Sequence, residues 1–243
     1  MLNQEKVDIM LRKIWNIAKN NKRILKLLSI FYNFFGMNNL YMKGKWNKIN
    51  KKTSFLKKCK FNIKGSGNKI ILKDGVRLTN CKLVINGNNN TIVIDQYSAV
   101  FNVVFWIEDS DNKISVGKRT VLNGGHFAVT ENHTNLTIGD LCLFSSDIEI
   151  RTGDSHSIID IKTGKRINYA KDVNIGNHVW IGAHVTILKG VKISDDVIIA
   201  NSAVLTKSIV KSHCVIGGFP IKVIKENVTW QNERIYEENC KLK

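Results

Sequence analysis

One histidine in this chain stands between carboxylates. The stretch Asp154-Ser155-His156, with Asp160 four residues on, is the only such ionisable cluster in the sequence. A neutral imidazole near its ordinary pKa can take a proton from a hydroxyl as that hydroxyl attacks, then return it to a leaving group. His156 is therefore the candidate general base. Asp154 or Asp160 could orient its ring, as could a backbone carbonyl; of these Asp154 is taken as the supporting residue. The other five histidines have structural readings. His178 and His184 fall on successive six-residue units and cannot converge. His126 lies one coil earlier on a possible acceptor wall, His133 at a corner, and His213 near the end of the repeat. No metal-binding set is read from them.

The elements that must position His156 announce themselves by spacing. Ile175, Ile181, Ile187, Ile193, Ile199 and Leu205 recur every sixth residue, in step with Val173, Val179, Val185, Val191, Val197 and Ala203. A period of six fits neither a helix nor a simple alternation. It fits a parallel β-helix in which three hexapeptides make one triangular coil. Upstream the same pattern runs in a longer register. Ile63, Ile85, Ile107 and Val129 lie 22 residues apart, as do Leu78, Val100, Leu122 and Phe144. The extra residues fall in a Gly/Asn-rich corner containing Asn68, Asn90 and Asn112, residue types that tolerate turns. The expected solenoid runs from residue 63 to about 216 and is roughly 30 Å long at ~4.8 Å per coil. Its rhythm stops after Ile150 and returns at Val173, so residues 151–172 are an ejected loop, and loops on rigid scaffolds carry function. His156 sits in that loop.

Charge is distributed unevenly. Residues 1–60 hold 15 Lys and Arg against Glu5 and Asp8, a net of +13 in a chain of net +17. This points to a polyanionic partner or an anionic membrane surface, against the plainer reading of a solvated, lysine-rich style. Nucleic acid is not among the expected partners. Residues 4–35 read as helical, with Val7, Met10, Leu11, Ile14, Trp15 and Ala18 on one apolar face and Leu28, Phe31, Phe34 and Phe35 on a broader one; Gly36 is the expected stop. Such helices would cap the open end of the solenoid or lie on a membrane, and the cap is preferred. No apolar run suits a membrane span, and the opening lacks the features of a signal peptide. Five scattered cysteines without CxxC spacing read as reduced thiols. The expectation is a cytoplasmic protein, with peripheral contact at the inner membrane face as an alternative. The expected division is 1–60 as a basic helical extension, 61–218 as the β-helix and 219–243 as a C-terminal tail.

Arg151-Thr152-Gly153-Asp154-Ser155-His156, then Val173-Asn174-Ile175-Gly176-Asn177-His178-Val179-Trp180-Ile181-Gly182, resembles the left-handed β-helix acyltransferases. So does Gly217-Gly218-Phe219-Pro220-Ile221-Lys222-Val223-Ile224-Lys225, which is similar to the family's closing signature. The likeness covers about residues 114–226 and is nearest to the capsule and surface-polysaccharide O-acetyltransferases. It implies a left-handed solenoid and a homotrimer in which each site is enclosed by a second subunit. It also implies acetyl-CoA as co-substrate, no metal, and His156 as base. Trp180 would lie at the acetyl-donor and acceptor site, 24 residues beyond the histidine as in those enzymes. Ala183, Asn201, Thr206, Lys207, Lys222 and Lys225 match coenzyme A-binding positions, the lysines suiting its phosphates. Asn201, Phe219 and Ile221 are bulkier than the family's usual residues there. Asn123 is the one acceptor-side residue singled out.

The function expected is therefore acetyl transfer to a hydroxyl of a bacterial surface glycan. N-acetylation of an amino or nucleotide sugar, and xenobiotic acetylation, are the enzyme alternatives. A zinc-dependent β-helix needs three converging histidines, and a non-catalytic scaffold or binding module would not need the histidine loop.

Overall fold

The computed structural model describes residues 21–236. The chain winds into a triangular prism of three parallel sheets, and each coil gives one strand to each. The first face has eight strands, from Asn39–Lys43 to Val204–Leu205. The second has seven, from Lys48–Asn50 to Lys192–Ile193. The third runs from Phe55–Lys57 to Cys214–Gly217, with one more strand, Lys222–Glu226, added antiparallel at its end. Eight strands at ~4.8 Å spacing make a prism about 34 Å long.

The spacings of the sequence are the stacking registers of the fold. Ile63, Ile85, Ile107 and Val129 are direct partners in neighbouring strands, and all four are fully buried. Ile175 pairs with Ile193, and Ile181 with Ile199, at an offset of 18. Burying this single column of branched side chains is the main stabilising term, because a coil cannot cover its apolar face alone. Cys59, Cys81, Cys142 and Cys214 are buried free thiols in or beside the column, and burial pushes Cys142 up to about 11. Cys240 lies outside the described residues.

Winding begins one coil earlier than the expected boundary at residue 61. Residues 39–57 already pair in parallel with the next coil on all three faces. Their offset is 21 on the first two faces rather than 22, so Leu40 and Met42, which pair with Phe61 and Ile63, fall outside the 22-residue spacing. The helix α1, Lys22–Phe35, then caps the third face. Asn21 accepts hydrogen bonds from the amides of Arg23 and Ile24 at its start. Asn33 Nδ2 donates to the Ser54 carbonyl, and Asn33 Oδ1 accepts from the Leu56 amide, so one side chain satisfies the edge as a strand would. Helix ends at Gly36, as expected, where a Cβ would lie 2.2 Å from the Leu56 carbonyl oxygen. The helical positions expected at 4–20 lie outside the described residues. No described helix is long and apolar enough to cross a membrane.

The enlarged corner joins the first face to the second, and its inner rail is a ladder of buried amides. Asn68, Asn90 and Asn112 each accept from the backbone amide one coil on: Asn90, Asn112 and Thr134 respectively, at 2.8–2.9 Å. Their Nδ2 groups donate to the carbonyls of Gly87, Asp109 and Glu108. Side chains thus satisfy corner backbone that no strand can reach. The ladder ends at Thr134 and Thr152, where the long loop leaves.

Candidate active site

The register jumps to 37 between Leu136 and Val173 and returns to 18 thereafter, so the loop expected at 151–172 is ejected from that same first-to-second edge. Its two ends meet where the Lys171 amide donates to the Thr152 carbonyl at 2.8 Å. Gly153 is needed at the root, since a Cβ there would lie 2.3 Å from Thr130 Oγ1. Further out the loop is a small hairpin. Ile159 bridges Arg166, the Ile167 amide donates to the Ile158 carbonyl, and Asp160 closes the turn by accepting from Thr163.

Asn168 is the hub of this hairpin and is buried. Its Oδ1 accepts from the Ile158 amide at 2.7 Å and from Arg166 Nε at 3.1 Å. Its Nδ2 donates to Asp154 Oδ2 at 2.8 Å and to the His156 carbonyl at 2.7 Å. All donor and acceptor directions are used, and the partners themselves fix which end of the amide is which. Two ion pairs clamp the hairpin to the coils on either side. Arg166 grips Glu131 of the preceding coil with two nitrogens, and Lys189 of the following coil meets Asp154. Arg166 also lies 4.9 Å from the centre of the Tyr169 ring.

His156 is thereby held by its backbone, with its amide bonded to the Asp154 carbonyl and its own carbonyl to Asn168, while the imidazole is exposed. The expected orienting carboxylates point elsewhere. Lys189, then Asn168, holds the Asp154 carboxyl below the usual carboxylate range, and Asp160 is engaged by Thr163. The Asp154 carboxylate joins the loop's hydrogen-bond network through Asn168 and Lys189 rather than the His156 ring.

Thr206 and Lys207 follow the strand Val204–Leu205 on the same first-to-second edge, two coils beyond the His156 loop, whereas the other expected residues lie elsewhere on the prism. Trp180 stands outward on the third face, half-exposed in a row with Leu143 and Ile198. Asn123, Ala183 and Asn201 occupy the third-to-first edge in different coils, and Lys222 is beside Gly217 where that edge ends. Asn201 Oδ1 accepts from the Ala183 amide at 2.9 Å, so the bulkier residue ties two coils together. Asn123 Nδ2 donates to the Phe144 carbonyl. Thr206, Lys207 and Lys225 are exposed. In a triangular prism the edge that ejects the His156 loop is opposite the third face. One chain therefore does not join His156 to Trp180.

Two features had no sequence signal. Trp230, in the expected tail, is buried: its ring stacks on His178 at 4.5 Å, and its Nε1 donates to the His178 carbonyl at 2.8 Å. It also lies 6.1 Å from Trp180, giving that outward ring partial cover. His178 Nδ1 pairs with Asp196 at 2.7 Å beside a cavity of about 700 Å³ lined by His213 and residues 227–233. His126 faces Glu149, which Arg151 also holds. Among the described residues no three His, Cys, Asp or Glu side chains converge as a metal site.

Comparison with known proteins agrees with this architecture. A family model described as bacterial transferase hexapeptide (six repeats) matches residues 172–207. A polysialic acid O-acetyltransferase of Escherichia coli O1:K1 / APEC is 42% identical over 113 residues, 46% of this chain. The match spans 36% of that relative's length. The solved polysialic acid O-acetyltransferase OatWY is 32% identical with a TM-score of 0.77, over 82% of this chain and 93% of that one. The polySia-specific acetyltransferase NeuO is 31% identical with a TM-score of 0.71, over 83% and 92%. With more than nine-tenths of both solved enzymes covered by the same coils, the chain belongs to the left-handed β-helix, hexapeptide-repeat acyltransferases, alongside the polysialic acid O-acetyltransferases.

Proposed function

We propose that this chain is an acetyl-CoA-dependent O-acetyltransferase of an acidic bacterial surface glycan, working as a homotrimer with His156 as general base. The observation that carries the reading is the separation just described. A clamped loop presents an exposed histidine on one edge, while Trp180 lies on the opposite face, with Ala183, Asn201, Lys222 and Lys225 on that face or its adjoining edge. A second copy around a threefold axis supplies the missing half of each site.

The co-substrate brings an acetyl thioester. His156 takes the proton of the acceptor hydroxyl as its oxygen attacks the thioester carbonyl, and the imidazolium then gives that proton to the departing thiolate. The products are the acetyl ester and the free thiol. Lys222 and Lys225, exposed near the third-to-first edge, suit the phosphates of coenzyme A. The relatives named for polysialic acid, and a chain of net +17, support a polyanionic acceptor.

The test is acetyl transfer from acetyl-CoA to polysialic acid and to neutral oligosaccharides, following thiol release and the acetylated product by mass spectrometry. An alkali-labile acetyl ester on the acidic polymer is expected. His156→Ala should lower kcat by at least ~10² with little change in coenzyme A affinity. Normal turnover in that variant would remove His156 from the mechanism, and an alkali-stable amide product would replace O- by N-acetylation.

A further inference from the structure

Helix α1 turns only a narrow stripe towards the solenoid it caps. Leu25 and Ser29 are buried there, and Asn33 is tied to Ser54 and Leu56. The helical period sets Leu27, Ile30, Phe31 and Phe34 on the far side. They are 59, 56, 65 and 81% exposed. Phe35 stands beside them, its ring 5.2 Å from that of Phe34 in an edge-to-face pair. At the same end of the prism, in the first coil, Trp46 is also exposed. A continuous apolar face of this kind on a protein surface marks a contact.

Charge selects the partner. Between Asn21 and Lys73 the sequence has 14 Lys and Arg and no Asp or Glu. A second copy of this end would bring like charge against like charge. A soluble polyanionic glycan would meet the cations but offer nothing to Leu27 or Phe34. A surface that is anionic outside and apolar beneath satisfies both, and aromatic residues suit the boundary between the two layers. We infer that this end of the solenoid docks on an anionic lipid bilayer, with α1 lying in the headgroup plane and its Leu27, Ile30, Phe31 and Phe34 face inserted. The docking goes beyond the acetyl transfer proposed above and does not depend on it.

The experiment is co-sedimentation of the full chain with phosphatidylcholine vesicles, with and without about one third phosphatidylglycerol, at ~0.15 M salt. Binding at least ~10-fold tighter to the anionic vesicles is expected. L27S/F31S/F34S, which alters only exposed side chains, should reduce that binding by at least ~10-fold while leaving polysialic acid binding unchanged. Brominated lipid should quench part of the tryptophan fluorescence of the native chain, and Trp46→Phe should remove that part; this arm does not rely on the triple variant folding. Failure of the native chain to bind vesicles would overturn the inference and assign the face to residues 1–20 or a second copy. Equal binding by the triple variant, or absence of quenching, would overturn insertion of the helix.

Discussion

Replacing Asn168 with alanine should release the His156 loop without unfolding the solenoid. The side chain makes four hydrogen bonds, two with backbone groups and two with the charged Asp154 and Arg166. Neutral bonds contribute about 1 kcal/mol net, and those to charged groups about 2. The simple total of about 6 kcal/mol is an upper bound, because Asp154 keeps Lys189, Arg166 keeps Glu131, and water reaches the freed groups. A loss of about 3 kcal/mol in the stability of the closed loop is the working figure, equivalent to ~10² in its opening equilibrium. The assay is native-state hydrogen exchange at the Ile167 amide, which bonds to the Ile158 carbonyl and does not touch the Asn168 side chain. Its protection should fall by ~10², while amides of the stacked coils, such as Ile187, keep theirs. Asn168→Asp is the sharper variant: it keeps the oxygen that accepts from Ile158 and Arg166 but sets a second carboxylate against Asp154 and the His156 carbonyl. It should open the loop at least as far. Unchanged protection at Ile167 in both variants would refute the assignment of Asn168 as the hub.

The remaining predictions address charge and assembly. Lys189→Met removes the chief cause of the depressed Asp154 pKa. A carboxyl depressed in the folded state stabilises above its unfolded pKa of about 3.9, and that stabilisation is lost as pH falls through the lower folded value. The variant's Asp154 should therefore titrate closer to the ordinary range, and its loop should loosen at higher pH than the native loop. Carboxyl-resolved NMR titration reads this, and an unmoved pKa would contradict the pairing. Inactive His156→Ala and Trp180→Ala chains, unfolded and co-refolded in equal amounts, should regain activity. Random assembly gives about a quarter of shared sites both native residues, and a site built within one chain would regain none.

The solenoid was legible because inward positions must repeat wherever strands stack in register: Ile63, Ile85 and Ile107 are neighbours in space for the same reason that they are 22 apart. The first coil was hidden by its offset of 21 and by lysines outside a weakly apolar interior. The loop that carries His156 could be found because it interrupts the rhythm. For Asp154, closeness in sequence suggested a possible ring partner, whereas the hairpin carries its carboxylate to Lys189, 35 residues away. Asn168 and Trp230 carry no local pattern at all. Their roles exist only once the hairpin and the C-terminal segment have folded back.

The first-to-second edge has a bearing on how such a protein can change. Successive strands there are separated by offsets of 21, 22, 37 and 18, yet the faces on either side keep one continuous pairing. Chain length at this edge is uncoupled from strand alignment: the buried Asn68, Asn90 and Asn112 rail closes the corners before the loop from within, and beyond Thr134 and Thr152 the strand pairing on either side continues without it. The His156 hairpin is the longest occupant of a position that already accepted variable lengths. Segments of different size and chemistry could be exchanged between Thr152 and Lys171 while the prism stays as it is. New surface chemistry can then arise by lengthening a corner, with no need to redesign a core.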